Sequence, residues 1–294
     1  MNEKKKTSVP AKGKKQNKAK EIWRRFKKNK TAVAGLIVVI FFILVAVFAE
    51  LIVPYEVALK QTKALREPPS SAHWFGTDRL GRDVFARIVH GTKVSLLIGL
   101  IGTAISTVIG LIIGAISGYY GGRLDEIIMR LMDMIMSIPS MLLSLAVVAA
   151  LGANMQNLLI ALVVGQIPHT ARANRALVMS VSGQEFVKAA KSYGAGDARI
   201  IFKYLVPNVI GPIIVQASMQ ISSTILSAAA LSFLGMGIQP PQPEWGYMLS
   251  EAREFMRTSP YLIMFPGVTI LLLSLAFNLA GDGLQDAFNP QLKD

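Results

Sequence analysis

Residues 185–208 read EFVKAAKSYGAGDARIIFKYLVPN, a polar stretch with four cations set between two strongly apolar blocks. At this length it is too small to be a domain of its own. Taken as a helix, its first part puts Phe186, Ala190 and Gly194 at i, i+4 and i+8 on one face, where small residues would let another surface approach the backbone. Gly194 or Gly196 can end such a helix with positive φ. Phe186 and Tyr193 supply aromatic area, while Lys188, Lys191 and Arg199 offer charge to an acidic groove. Pro207 lacks an N–H and limits where a following helix can begin. From these residues alone, a docking element and an amphipathic turn with no partner are both open.

The chain around this stretch is that of an integral membrane protein. Of 294 residues, 52% are hydrophobic and 17% charged, against roughly a quarter charged in soluble domains. Several apolar runs reach the ~20 residues that cross a ~30 Å hydrocarbon core. The net charge of +13 could suggest nucleic acid, but 13 of the 31 Lys and Arg lie in residues 4–30, ahead of the first apolar run. A polybasic flank beside a span is what a cytoplasmic segment carries. No nucleic-acid partner is expected. With no cysteine in the chain, disulfides, thiolate metal sites and cysteine catalysis are excluded.

Six spans are expected. Residues 1–30 form a basic tail and an interfacial segment, in which Trp23 and Phe26 lie among cations. The first span runs from Thr31 to Val53; it is too long for a signal peptide and lacks a small-residue cleavage site. A polar connection, 54–92, separates it from a core of five further spans, 93–290. These are read over Val94–Ser117, Met132–Leu151 (bent at Pro139), Asn157–Ala176, Val209–Met236 and Tyr261–Ala280. Gly110, Gly114 and Gly118 fall on one face of the second, and ordinary close helix packing is favoured over a dimer motif.

Six spans put both termini on one side, and that side then carries 22 of the 31 Lys and Arg, the 185–208 stretch included. Both termini and this stretch are therefore expected in the cytoplasm. Residues 94–122, 206–243 and 258–281 contain no Asp, Glu, Lys, Arg or His, and 134–171 contain only His169. Carriers that run on ion gradients bury such groups at mid-membrane, so a secondary transporter is disfavoured. The chain also lacks G-x-x-x-x-G-K-[ST], the loop that cradles ATP phosphates. His73, His90 and His169 lie far apart without clustered carboxylates, so no metal site and no catalytic residue are expected. Energy for any transport must come from another subunit.

Four segments carry a resemblance. Lys188-Ala189-Ala190, Gly194 and Pro207 are similar to the "EAA…G…LP" cytoplasmic loop of permease subunits of bacterial ABC importers. HWFGTDRLGRDVFAR (73–87), LSFLGMGIQPPQPEWGYML (231–249) and the stretch ending FNLAGDGLQDAFNP at Pro290 resemble the dipeptide/oligopeptide/nickel subfamily, and within it the C-type permease. The similarity spans about 24–290. Lys188 stands where the loop pattern has Glu, although Glu185 lies three residues earlier; Val206 replaces Leu before Pro207; and Gln166 stands where many relatives have Trp.

The resemblance implies an all-α, type I importer permease in the bacterial inner membrane, moving di- or oligopeptides, with nickel or another small solute as the alternative. It implies a second homologous permease, one or two ABC ATPases that bind the ATP and Mg²⁺, and an extracytoplasmic binding protein. Glu185, Phe186, Lys188, Ala189, Ala190, Tyr193, Gly194 and Pro207 would form the segment coupled to the ATPases. Trp245 with Glu244 is a candidate contact for the binding protein, a membrane-interface tryptophan being the other reading. Gln166 is a candidate for the translocation path. Outside this class, a secondary transporter or a membrane scaffold is the alternative.

Overall fold

A computed structural model describes residues 18–288, and every regular element within them is a helix apart from an isolated antiparallel bridge between Thr77 and Asp83. The cationic helix α1 (Lys18–Phe26) leads into α2 (Lys30–Val47). Asn29 starts α2 by accepting the Ala32 N–H at 3.1 Å, which satisfies one of the donors that a helix start leaves open. α2 stops at Phe48, so the first span is not the unbroken run from 31 to 53 read from hydropathy. The short α3 (Ala49–Ile52) and α4 (Tyr55–Leu59) follow.

After a looped connection, Asp83 caps α5 (Val84–Tyr120), its side chain accepting the Ala86 N–H at 2.8 Å. At 37 residues α5 is about 55 Å long and begins ten residues before the span read from Val94. Arg87, His90 and Lys93 obscure that start in the sequence. α6 (Gly122–Met136) and α7 (Ser140–Leu151) meet at 80° across Pro139. α8 (Met155–Ser182) continues through Pro168 and the polar run HTARANR. The 185–208 stretch folds as α9 (Glu185–Ser192), α10 (Asp197–Arg199) and a π-helical turn, Ile200–Leu205, which leads into α11 (Val206–Phe233). α12 (Trp245–Ala252) precedes α13 (Tyr261–Phe288).

By length and composition, four of the described helical stretches can cross a membrane: Lys30–Val47, Val84–Tyr120, Asp197–Phe233 and Tyr261–Phe288. The bent α6–α7 pair makes a fifth if it is one span. α8 is long enough, but its second half is too polar to stand among them.

α8 packs along α5, α2 along α13, and α11 lies against both α5 and α13. Gly110, Gly114 and Gly118 make the α5–α8 crossing close. A Cβ on Gly114 would lie 2.5 Å from the Ala171 carbonyl oxygen and 2.7 Å from the Arg175 nitrogen. The glycine stripe thus serves packing within the chain. Gly114→Val must push two backbones apart, and is expected to cost about 1–3 kcal/mol, read as a lower melting temperature of the purified protein.

Polar contacts distinguish the two ends of the bundle. At one, His90 Nε2 lies 2.8 Å from the carbonyl oxygen of Val53, joining the start of α5 to the chain beyond α2. At the other, Asn29 Nδ2 donates to Asp286 at 3.0 Å and Tyr119 donates to Asp197 at 2.6 Å.

Candidate functional site

α9 is a small helix anchored by its inner face. Val187 and Ala190 are buried against Ile200 and Leu205, in a cluster that reaches Val178 of α8 and Ala115 of α5. Phe186 packs onto the same cluster. The face expected to meet another protein, Phe186–Ala190–Gly194, is therefore corrected: its first two members point into the chain, because the apolar side of α9 covers the π-helical turn. The exposed side carries Glu185, Lys188, Ala189 and Tyr193, the last 91% exposed.

Gly194 ends the helix with φ +75°, which lets Ala195 N–H donate back to the Ala190 carbonyl at 3.0 Å. A Cβ there would meet nothing within 4 Å, so Gly194 serves the turn and no close approach within the chain. Pro207 lies exposed in the first turn of α11.

Tyr119, at the end of α5, also holds the segment. Its hydroxyl donates to Asp197, and Lys191 Nζ sits 4.8 Å from its ring centroid. Nothing in the sequence around Tyr119 points to these two partners, which lie far along the chain. Through these contacts and the continuous path into α11, α9 is tied to α5, α8 and α11.

Further along the same helices lies an uncharged polar network. Gln220 Nε2 donates to Gln166 Oε1 at 2.8 Å, and Gln166 Nε2 donates to Thr224 Oγ1 at 3.0 Å. Ser106 Oγ lies 3.2 Å from both amide side chains, and Thr103 Oγ1 is 2.9 Å from Thr224 Oγ1. These groups lie on α5, α8 and α11 and hydrogen-bond one another, with Thr103, Ser106 and Thr224 buried and the two glutamines partly exposed. Gln166 also borders a cleft of about 240 Å³ between α7, α8 and α11, beside Ser140, Ser144 and Ser227.

At the end of the bundle where α5 begins, the connection preceding α5 is locked to α12 by a buried charge cluster. Arg82 Nε donates to Asp78 at 2.6 Å, and its Nη2 donates to both Glu251 oxygens at 2.7 and 2.8 Å. Arg87 bridges the same two carboxylates, 2.7 Å from Glu251. All four side chains are at most 7% exposed. Burial works against the Arg82 charge, yet Asp78 and Glu251 hold its pKa above the usual value. The cluster was not foreseen: Asp78, Arg82 and Arg87 are conspicuous in HWFGTDRLGRDVFAR, but nothing near them in sequence points to Glu251.

Trp245 and Glu244 are corrected as binding-protein contacts. Trp245 is fully buried, its Nε1 donating to the Ile88 carbonyl at 3.1 Å, with Phe42 edge-on at 5.9 Å. Glu244 is 1% exposed and caps α12, accepting the Gly246 and Tyr247 N–H groups at 2.8 Å each. Both are taken up inside the subunit because α12 tucks between α11 and α13.

Burial pushes the Glu244 carboxyl above the ordinary glutamate range, although the two N–H groups pull the other way. The folded chain then holds this proton more tightly than the unfolded one. Its effect on stability is favourable at low pH and is lost as pH rises from about 4.3 through the raised folded value. Glu244→Gln should flatten that part of the profile, its melting temperature falling less than wild type as pH rises above the ordinary glutamate range.

Residues 110–294 match the family described as "Binding-protein-dependent transport system inner membrane component", and 18–69 match "N-terminal TM domain of oligopeptide transport permease C". The dipeptide transport system permease protein DppC of Alkalihalophilus pseudofirmus is 44% identical, covering 93% of this chain and 90% of its own. The glutathione transport system permease protein GsiD of Pectobacterium atrosepticum is 43% identical, over 93% and 91%. The di/tripeptide permease DppC of Pseudomonas aeruginosa is 43% identical, over 94% and 93%. Among solved structures, an inward-facing MetNI methionine ABC transporter aligns with a TM-score of 0.59 at 18% identity, covering 70% of this chain and 98% of its own. That last similarity speaks to fold alone.

Proposed function

The chain belongs to the family of inner-membrane components of binding-protein-dependent transport systems, and from that membership we propose that it is a permease subunit of an ATP-driven importer of di- or oligopeptides. The observation that carries the proposal is the similarity to dipeptide, di/tripeptide and glutathione permeases over more than nine-tenths of the chain.

In this reading a second permease completes the path, and ATPase subunits bind ATP and Mg²⁺ and grip the exposed side of α9. Closure of the ATPases biases a two-state equilibrium of the spans; this chain performs no chemistry of its own. The spans number six when α6–α7 counts as one and α8 as another. The ends marked by Asn29–Asp286 and Tyr119–Asp197 face the cytoplasm, in accord with the cations of residues 4–30 and 185–208. The 54–83 connection and α12 then face the extracytoplasmic binding protein. Gln166 and the serines beside its cleft suit a path for peptides, since amide and hydroxyl groups can serve a peptide backbone whatever its side chains.

Uptake by the reconstituted assembly in proteoliposomes tests this. Labelled peptides should accumulate inside in an ATP-dependent way with their binding protein present, while Ni²⁺ should not. ATP-driven uptake of Ni²⁺ without peptide uptake would overturn the substrate class.

A further inference from the structure

We propose that a groove between α1, α2, α11 and α13 holds an acyl chain of an anionic phospholipid, with the headgroup gripped by the cations of α1 and the turn after it. The groove has a volume of about 500 Å³ and is walled by Ile22, Trp23, Phe26, Leu36, Phe277 and Leu284. That size lies within the usual ~300–1,000 Å³ of ligand sites. The Ser218 hydroxyl, which also borders it, donates to the Val215 carbonyl at 2.7 Å. The walls thus suit hydrocarbon.

The rim has the opposite chemistry. Residues 20–30 hold six cations and one acid, Glu21, which is paired with Arg25 at 2.6 Å. Lys20, Arg24, Lys27, Lys28 and Lys30 are exposed. Lys27 Nζ stands 5.0 Å from the centroid of the Trp23 ring, directly above a wall of the groove. Trp23 is itself 49% exposed and stacks on Phe26 at 5.8 Å. The geometry is fixed from below: Phe26 packs with Ala32 and Ala287, and Asn29 bonds Asp286.

A hydrocarbon slot beneath a cationic rim matches a lipid with a negatively charged headgroup, and helices of this kind lie at the headgroup layer. An apolar helix of another protein would fill the slot but would leave the rim charges without a counterpart. The proposal stands whatever solute the protein moves.

The test is fluorescence quenching in the detergent-solubilised assembly, where membrane sidedness and transport do not enter. The Trp23 signal is isolated as the difference between wild type and Trp23→Phe. Phosphatidylglycerol brominated on its acyl chains should quench that signal at least about tenfold more effectively than brominated phosphatidylcholine with the same chains. Each cation neutralised among Arg24→Gln, Lys27→Gln and Lys28→Gln should weaken the effect by about fivefold. Equal quenching by the two lipids, no quenching by either, or an unchanged preference in the triple variant would overturn the proposal. So would a cross-link showing a helix of the second permease seated in the groove.

Discussion

Glu251→Gln is expected to destabilise the folded subunit by about 3–5 kcal/mol, the cost of removing one partner from a buried charge cluster. Arg82 and Arg87 are then left with Asp78 as their shared counter-charge, at sites where at most 5% of either side chain meets water. Arg79 also loses a partner, but its contact with Glu251 is longer, 3.3 Å, and its side chain is 44% exposed, so this part adds little. The measurement is the melting temperature of the purified assembly, together with the amount of the subunit retained in the membrane.

A double variant separates the charge explanation from simple disruption. Arg87→Met with Glu251→Met removes one charge of each sign and leaves the Arg82–Asp78 pair, 2.6 Å apart, neutral as a unit. It should be more stable than either single variant, because an uncompensated buried charge costs more than a missing pair. If Glu251→Gln melts with wild type, the cluster does not hold the connection to α12.

The second large effect is expected at Ala189. Its side chain is on the exposed side of α9, so an added ring leaves the packing of Val187 and Ala190 undisturbed. If α9 is gripped by an ATPase groove, Ala189→Trp blocks the fit. Uptake should fall at least about tenfold, equivalent to about 1.4 kcal/mol of lost coupling, while ATP hydrolysis and membrane abundance persist. Wild-type uptake by Ala189→Trp would refute the docking role. Ala190→Trp is the contrasting variant, expected to lose folded protein because the residue is buried against the π-helical turn. Gly194 is a poorer probe: its Cβ has room, but φ +75° penalises most side chains on backbone grounds alone.

Much of the architecture was legible in the chain. The apolar runs located the long helices because a bilayer demands ~20 apolar residues with satisfied backbones, a local and repetitive requirement. Helix ends were less legible where function or packing adds charge. α5 starts at Val84 beneath Arg87 and His90 because these polar groups find partners in the connection before it, Arg87 in the carboxylate cluster and His90 at Val53. The 185–208 stretch was recognisable as an insert, and its cations gave a reason to expect it in the cytoplasm. Which side of α9 faces out was not, since Phe186 and Ala190 sit at helical spacing whether they meet another protein or the chain's own turn.

By itself, the sequence determined that this is a polytopic helical membrane protein, and its segment-by-segment resemblance identified the permease family. Both follow from composition, run length and residue order, which are properties of the chain read along its length. Only the tertiary structure decided which surface the 185–208 stretch presents, that Trp245 and Glu244 are interior, and that Glu251 completes a cluster with Arg87, 164 positions earlier. Those outcomes depend on which helices come to lie side by side. A tryptophan at a membrane surface and one buried at the start of α12 look alike in one dimension, and partners so far apart in the chain leave no local period to betray them.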